Sequence, residues 1–408
     1  MVAPLKPSKG LLERRGSSAS LTINLGISDN SIIDLSPIQE NLAIDDSGSR
    51  KSRFLTRHQL KNLNIIDSLP EIFAEFAMLP NPNISCCTRI AGCSQKNRHQ
   101  VWPIGKTRVR IWDNNSSVCS QDTPRSTNSL IDDARNYINA NYITDDNLVS
   151  SYIATEGPMP NTINDFWAMI WQEKSIAIVM MTKLEEQTSN DGQPKSKCEK
   201  YWPEEKHRYG AITVEVENVD IDCGIIVHEL LITRGDEEHR LRHYWFTEWN
   251  DHRLPIGQIS KILKLILDLH SYRAECRKKF TPLGPITVHC SAGIGRTCTF
   301  IAMLLGIEQL NTIQDGIDIY AIVSKLRMER YGAVPRPEQY VFIYLALQQM
   351  ECLLREPELI KKRLIAADEA SPYLKLLISD FREDEILDEE NVVDTTVHIS
   401  SNWLNVKN

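Results

Sequence analysis

Val288-His289-Cys290-Ser291-Ala292-Gly293-Ile294-Gly295-Arg296-Thr297 sets a cysteine and an arginine at the two ends of a loop of small residues. An apolar, β-rich run (Ile286, Thr287, Val288) leads in, and an apolar helical pattern from Thr299 to Leu305 leads out. The context is therefore strand, tight loop, helix. In such a loop Ser291, Ala292, Gly293, Ile294 and Gly295 turn successive backbone N–H groups inward as a nest for an anion. The following helix adds the positive end of its dipole. Arg296 supplies a planar fork that holds two phosphate oxygens at once. The same field favours the thiolate of Cys290. A thiolate facing a tetrahedral oxyanion is a nucleophile aimed at phosphorus. Thr297 can donate a hydrogen bond to that thiolate, and His289 can orient the loop through its ring nitrogens. The plainer reading is a buried cysteine beside a surface arginine; His289, the two glycines and Thr297 together weigh against it.

Four further blocks flank the loop. They are Tyr137-Ile138-Asn139-Ala140-Asn141-Tyr142-Ile143, Tyr152-Ile153-Ala154-Thr155-Glu156-Gly157-Pro158, Asp165-Phe166-Trp167 through Trp171, and Lys197-Cys198-Glu199-Lys200-Tyr201-Trp202-Pro203. With the cysteine loop they resemble the protein tyrosine phosphatases, whose patterns include Y-I-N-A-x-Y-I, Y-I-A-T-Q-G-P, D-F-W-x-M-x-W and K-C-x-x-Y-W-P. The blocks stand in family order over roughly residues 65–352. The resemblance implies an α/β fold, a single tyrosine-phosphatase domain with a central, highly twisted mixed β-sheet flanked by α-helices. It also implies hydrolysis of phosphotyrosine through a cysteinyl-phosphate, with no metal and no organic cofactor.

The length of 408 residues suits one large domain with tails. Residues 1–60 are rich in Ser, Asn, Asp and Arg and are expected to be a mostly disordered regulatory segment. Residues 61–352 are expected to be the phosphatase domain, and residues 353–408 an acidic tail. Within the domain, Leu60 to Phe76, Ile259 to Leu269 and Ile317 to Arg327 carry helical spacing, while Ile178 to Met181 and Tyr244 to Phe246 read as strands. A net charge of −8 gives no support for a nucleic-acid partner. No apolar run approaches the roughly 18–20 residues of a membrane span. Ten cysteines without disulfide or metal-ligand spacing point to a reducing cytoplasm, with the nucleus as a second compartment.

The resemblance also assigns roles outside the cysteine loop. The general acid would be Asp251, in Phe246-Thr247-Glu248-Trp249-Asn250-Asp251, with Trp249 as hinge and Asn250 in place of the family's proline. Proline fixes φ, so its loss alters the closing equilibrium of the loop. The aromatic wall of the phosphotyrosine pocket falls to His99, where the family has tyrosine in K-N-R-Y. Asn97 and Arg98 would brace the cysteine loop. The water-placing segment reads Val334-Pro335-Arg336-Pro337-Glu338-Gln339-Tyr340. Gln339 is retained and Pro335 replaces the first glutamine, so attack on the phosphocysteine is expected to slow. Glu186 and Lys197 would form an accessory pair or a plain surface ion pair. Cys298 replaces the glycine after Arg-Thr and reads as packing or as a trap for an oxidised Cys290.

Near the N-terminus, Leu11-Leu12-Glu13-Arg14-Arg15-Gly16-Ser17-Ser18-Ala19-Ser20-Leu21-Thr22-Ile23-Asn24-Leu25 is similar to the kinase-interaction motif of one subgroup, the haematopoietic and striatum-enriched tyrosine phosphatases. Arg14 and Arg15 would meet an acidic patch, and the Leu21, Ile23, Leu25 comb would fill an apolar groove. The implied partner is a MAP kinase of the ERK or p38 type, bound by a monomer, with a phosphotyrosine protein as substrate. Arg14-Arg15-Gly16-Ser17 fits a basophilic kinase site, so Ser17 is a candidate regulatory phosphosite. The alternative is a weakly active or inactive phosphatase-fold binding protein that sequesters such partners, favoured by Asn250, His99 and Pro335.

Overall fold

In the computed structural model the described residues are 22–23, 33–34, 54–99, 101–111, 134–144, 151–187, 194–222, 224–250, 254–280, 282–311 and 316–355. The chain divides into two units, residues 1–51 with 396–408, and residues 52–395. Within the first, Thr22–Ile23 pairs antiparallel with Ile33–Asp34. The docking residues Arg14, Arg15, Ser17, Leu21 and Leu25, the general-acid candidate Asp251 and the acidic stretch from residue 356 lie outside the described residues.

The second unit is built on a nine-stranded mixed sheet. Its strands in chain order are β1 (Arg108–Arg110), β2 (Tyr137–Thr144), β3 (Ser151–Thr155), β4 (Ala177–Met180), β5 (Lys206–Tyr209), β6 (Ile212–Asp222), β7 (Ile225–Arg234), β8 (Glu237–Phe246) and β9 (Ile286–His289). Across the sheet the order is β5-β6-β7-β8-β4-β9-β3-β2-β1. The centre is parallel: β9 pairs with β3 on one side and β4 on the other, and β4 pairs with β8. Antiparallel hairpins extend it on both flanks.

Sequence pattern follows position. β4 and β9 are short apolar runs buried at every residue, as parallel strands covered on both faces must be. The expected strands at 178–181 and 244–246 appear as β4 and the end of β8. Helix α5 (Arg296–Leu310) follows the cysteine loop and is buried over nearly its whole length, which accounts for its all-round apolar sequence. Around it stand α4 (Ile259–Lys279), α6 (Ile319–Glu329) and α7 (Pro337–Arg355). Asp318 caps α6 by accepting from the Ala321 N–H at 2.8 Å.

The expected single helix from Leu60 to Phe76 is instead two, α1 (Arg57–Asn62) and α2 (Leu69–Ala77). Asn64 and Asp67 pair through their side chains at 2.7 Å in a turn between them. Pro70 then opens α2, where a missing N–H costs nothing. α2 buries Glu75 against α7, where it accepts the hydroxyls of Tyr340 and Tyr344. Helix α3 (Ile163–Gln172) packs Phe166 and Trp167 under the sheet.

Candidate active site

The parallel strand β9 delivers Cys290 from its carboxyl end, the end of an α/β sheet where ligands bind. From Cys290 to Gly295 every backbone carbonyl is engaged from outside the loop. The Cys290 oxygen accepts from His289 Nδ1 at 3.1 Å. Ser291 O accepts the Gly157 N–H at 2.8 Å. Arg330 donates to Ala292 O at 3.0 Å and to Gly293 O at 3.1 Å. Ile294 O accepts from Val334 N–H at 3.2 Å, and Gly295 O from Thr299 N–H at 2.9 Å. Among the described residues, the amides of Ser291 to Gly295 have no protein acceptor. With carbonyls fastened outward, those N–H groups are left for an anion.

Local backbone explains the first of the two glycines. Gly293 has φ +73, and a Cβ there would stand 2.2 Å from the Thr155 carbonyl oxygen. At Gly295 a Cβ would lie 2.8 Å from Gln339 Nε2, which places the Gln339 side chain against the loop. Gln339 Oε1, Ser291 Oγ and Thr297 Oγ1 are buried with no protein hydrogen-bond partner. Cys290 is 3% exposed. Cys298 lies beneath the loop, its thiol directed at Gly293 O at 3.8 Å, and burial pushes that thiol up to about 12.

Arg296 is held in place before any ligand arrives. Its Nη1 donates to Glu186 Oε1 at 2.7 Å and to the Trp249 carbonyl at 2.8 Å. Glu186 also accepts from Thr182 Oγ1. Lys197 is buried, its N–H on Leu184 O at 2.7 Å. Trp249 is 1% exposed and packs edge-on against Phe342 at 5.4 Å. Its neighbour Asn250 faces solvent and accepts from Lys183 Nζ at 2.9 Å. The segment before Asp251 is thus tied at both its backbone and its side chain.

The Asn97-Arg98-His99 block reaches the loop at one remove. Asn97 Oδ1 accepts from Tyr137 Oη at 2.5 Å and from Asn139 Nδ2 at 2.8 Å. Asn139 Oδ1 in turn accepts from Arg330 Nη1 at 2.7 Å, and Arg330 holds the loop. Arg98 clamps the carbonyls of Pro158 and Ser196. His99 is half-buried at the end of this block. Glu156, where the family pattern has glutamine, accepts the Arg98 N–H at 3.0 Å and Asn139 Nδ2 at 3.2 Å. Burial is the larger influence on that carboxyl and pushes it up to about 8, against the pull of Arg98 and Arg330.

Two important residues carried no sequence signal. Arg330 follows an amphipathic helix and reads as a surface cation, yet it is wholly buried with both Asn139 and Asn141 on Nη1. Desolvation lowers its pKa from the ordinary range. Val334 has φ +48, an outlier for a β-branched residue. Its N–H on Ile294 O and its carbonyl on Arg327 Nη2 at 3.0 Å hold it there.

Comparison with known proteins agrees with this geometry. The profile of the family described as protein-tyrosine phosphatase matches residues 93–349. Human tyrosine-protein phosphatase non-receptor type 7 (Homo sapiens) is 40% identical over 352 residues, covering 84% of this chain and 88% of that protein. Tyrosine-protein phosphatase non-receptor type 5 of Rattus norvegicus is 34% identical over 350 residues, covering 84% of this chain and 87% of that protein. Receptor-type tyrosine-protein phosphatase R of Homo sapiens is 36% identical over 344 residues, with 83% and 48% covered. The chain spans about half the length of the receptor-type relatives it matches. This chain belongs to the protein-tyrosine phosphatase family. No helix among the described residues is long and apolar enough to cross a membrane.

Proposed function

We propose that the chain hydrolyses phosphotyrosine in proteins through a cysteinyl-phosphate. The single observation that carries this reading is the six outward carbonyls from Cys290 to Gly295, which leave the loop amides and Arg296 for a phosphoryl group. Cys290 Sγ forms a bond to phosphorus as the bond to the tyrosine oxygen breaks. The amides and Arg296 stabilise charge on the three equatorial oxygens. Asp251 gives its proton to the departing phenolate. Water, placed by Gln339, then attacks phosphorus, the S–P bond breaks and inorganic phosphate leaves. His99 takes the place of a pocket wall, and the Thr297 hydroxyl, buried with no protein partner, donates to the thiolate. The family name of the relatives supports the same reaction class. Cys290→Ser should abolish turnover of an aryl phosphate while keeping phosphate binding. Turnover within about tenfold of the parent chain would defeat the assignment.

We also propose a docked MAP kinase as substrate, in a cytoplasmic setting. Support comes from Arg14, Arg15 and the Leu21, Ile23, Leu25 comb, and from similarity to non-receptor types 5 and 7. A phosphate on Ser17 would add about −1.5 to −2 charge beside the arginines and oppose an acidic patch. Titration calorimetry of peptide 11–27 into a MAP kinase should show binding that phosphoserine at position 17 weakens. Equal affinities would remove the switch, and no binding by either peptide would remove the docking role.

A further inference from the structure

A line of four buried rings runs from the cysteine loop across the sheet. His289 Nδ1 lies 3.1 Å from the Cys290 carbonyl oxygen, and its Nε2 lies 2.7 Å from Tyr201 Oη. Tyr201 Oη is 2.9 Å from His243 Nε2. His243 Nδ1 is 3.1 Å from His228 Nδ1. His228 and His243 stand directly opposite each other on β7 and β8. Tyr201, His243 and His289 are fully buried, and His228 is the member nearest solvent at 7% exposure. Trp202 covers both β-strand histidines, and Glu204 and Lys200 are the charged groups acting on His228.

The proton positions follow from elementary donor and acceptor rules. A carbonyl only accepts, so His289 carries its hydrogen on Nδ1. Burial lowers the pKa of all three imidazoles, that of His289 to about 4, so each holds a single N–H at neutral pH. His289 Nε2 is therefore bare and accepts the Tyr201 hydroxyl. The Tyr201 oxygen accepts from His243 Nε2–H. His243 Nδ1 is then bare, and its donor is His228 Nδ1–H. The Cys290 carbonyl favours this direction from one end of the line, and the His228 donor backs it from the other. If it reversed, Tyr201 would donate to His243 and His289 would donate through Nε2. A lone pair of His289 Nδ1 would then face the Cys290 carbonyl, and the outward hold on that carbonyl would be lost.

We propose that His228 is a positioning residue for Cys290. Its Nδ1–H backs the direction of the His243, Tyr201 and His289 line from the far end and so helps keep the Cys290 carbonyl bonded outward. The value of this for turnover rests on Cys290 being the nucleophile; the proton arrangement does not.

The full chain tests it by nitrogen-15 resonance of the imidazoles and by the rate of Cys290 alkylation with iodoacetate at one neutral pH, followed by peptide mass. The parent chain should show Nδ1–H on His289 and His228 and Nε2–H on His243. His228→Leu should mix or reverse the His243 and His289 forms. It should slow that alkylation by at most about tenfold, the ceiling set by one neutral hydrogen bond. His228→Asn, whose amide can donate near the place of Nδ1, should restore both. Opposite forms in the parent overturn the proposal. So does an unchanged His228→Leu chain, or His228→Asn behaving as His228→Leu, which would mean packing alone. If His228→Leu does not fold, the parent spectrum and His228→Asn decide. Turnover surviving in Cys290→Ser would remove the nucleophile yet leave the imidazole pattern standing, so the two failures are separable.

Discussion

Six consecutive carbonyls of the cysteine loop are held by six donor atoms of five residues: His289, Gly157, Arg330 twice, Val334 and Thr299. Two further segments approach the loop. Trp249–Asn250 is fastened by the Trp249 carbonyl on Arg296, by Lys183 on Asn250 and by burial of the indole against Phe342. Val334–Pro335 rests on one bond to the loop and one from Arg327, with a proline that has no N–H to contribute. Asn250 and Pro335 fall in those segments, whereas Cys298 and Glu156 depart from the family pattern within the cradle and its braces and still make bonds there. A change that removes a partner of the cradle strands a buried polar group at about 1–3 kcal/mol. Changes at Asn250 and Pro335 would act on the proposed proton delivery and water attack instead. Binding and the first chemical step should therefore be more robust in this chain than the second.

The largest effect should come from the acid segment. Asp251→Ala should cut turnover of poor leaving groups by roughly 10²–10⁴-fold, the range of a positioned acid, and much less for leaving groups that need no proton. Steady-state rates across a series of aryl phosphates check this. Equal losses along the series would place the proton elsewhere and break the contrast between cradle and flank.

The water segment should matter next. With Pro335 in place, rapid mixing with an aryl phosphate should give a burst of phenol and then a slow steady rate. Pro335→Gln should raise the steady rate about tenfold, a change of ~1.4 kcal/mol, and shrink the burst. A linear trace in the parent chain would show that hydrolysis of the phosphocysteine is not limiting.

The smallest effect sharpens the cradle side. Glu156 has an ordinary unfolded value near 4.5 and is raised to about 8 in the fold. The folded state thus binds more protons between those values, and stability falls as pH rises through that window. Glu156→Gln keeps the acceptor for Arg98 N–H and removes the titration. Its melting temperature, relative to the parent, should rise from about pH 4.5 upward and reach its full lead near pH 8. Parallel melting curves across pH would mean that Arg98 and Arg330 hold the carboxyl ionised.

Much of this was legible in the chain. The strand-loop-helix around Cys290 follows from local pattern, because glycine spacing and apolar period act over a few residues. The mixed sheet flanked by helices follows from family blocks that match residue by residue. The break between α1 and α2 was missed because apolar spacing continued through it, while the Asn64–Asp67 turn and Pro70 set the boundary. Arg330 was missed because its sequence surroundings are those of a surface cation. Only the convergence of Asn139, Asn141, Ala292 and Gly293 makes burial of a guanidinium affordable. Glu186 was named from the sequence together with Lys197, but its bond to Arg296, 110 residues away in the chain, came only from the tertiary structure.

The amino-acid sequence by itself determined the family, the sheet-and-helix layout and the identity of the cysteine, the arginine and the small residues between them. Those features depend on residue type and short spacing. The tertiary structure alone decided which groups turn the loop carbonyls outward, that Val334 sits at positive φ, and that His228 stands at the far end of a line leading to Cys290. Such facts depend on hydrogen bonds between residues distant in sequence. Their directions are set by what each donor and acceptor finds once water has been excluded.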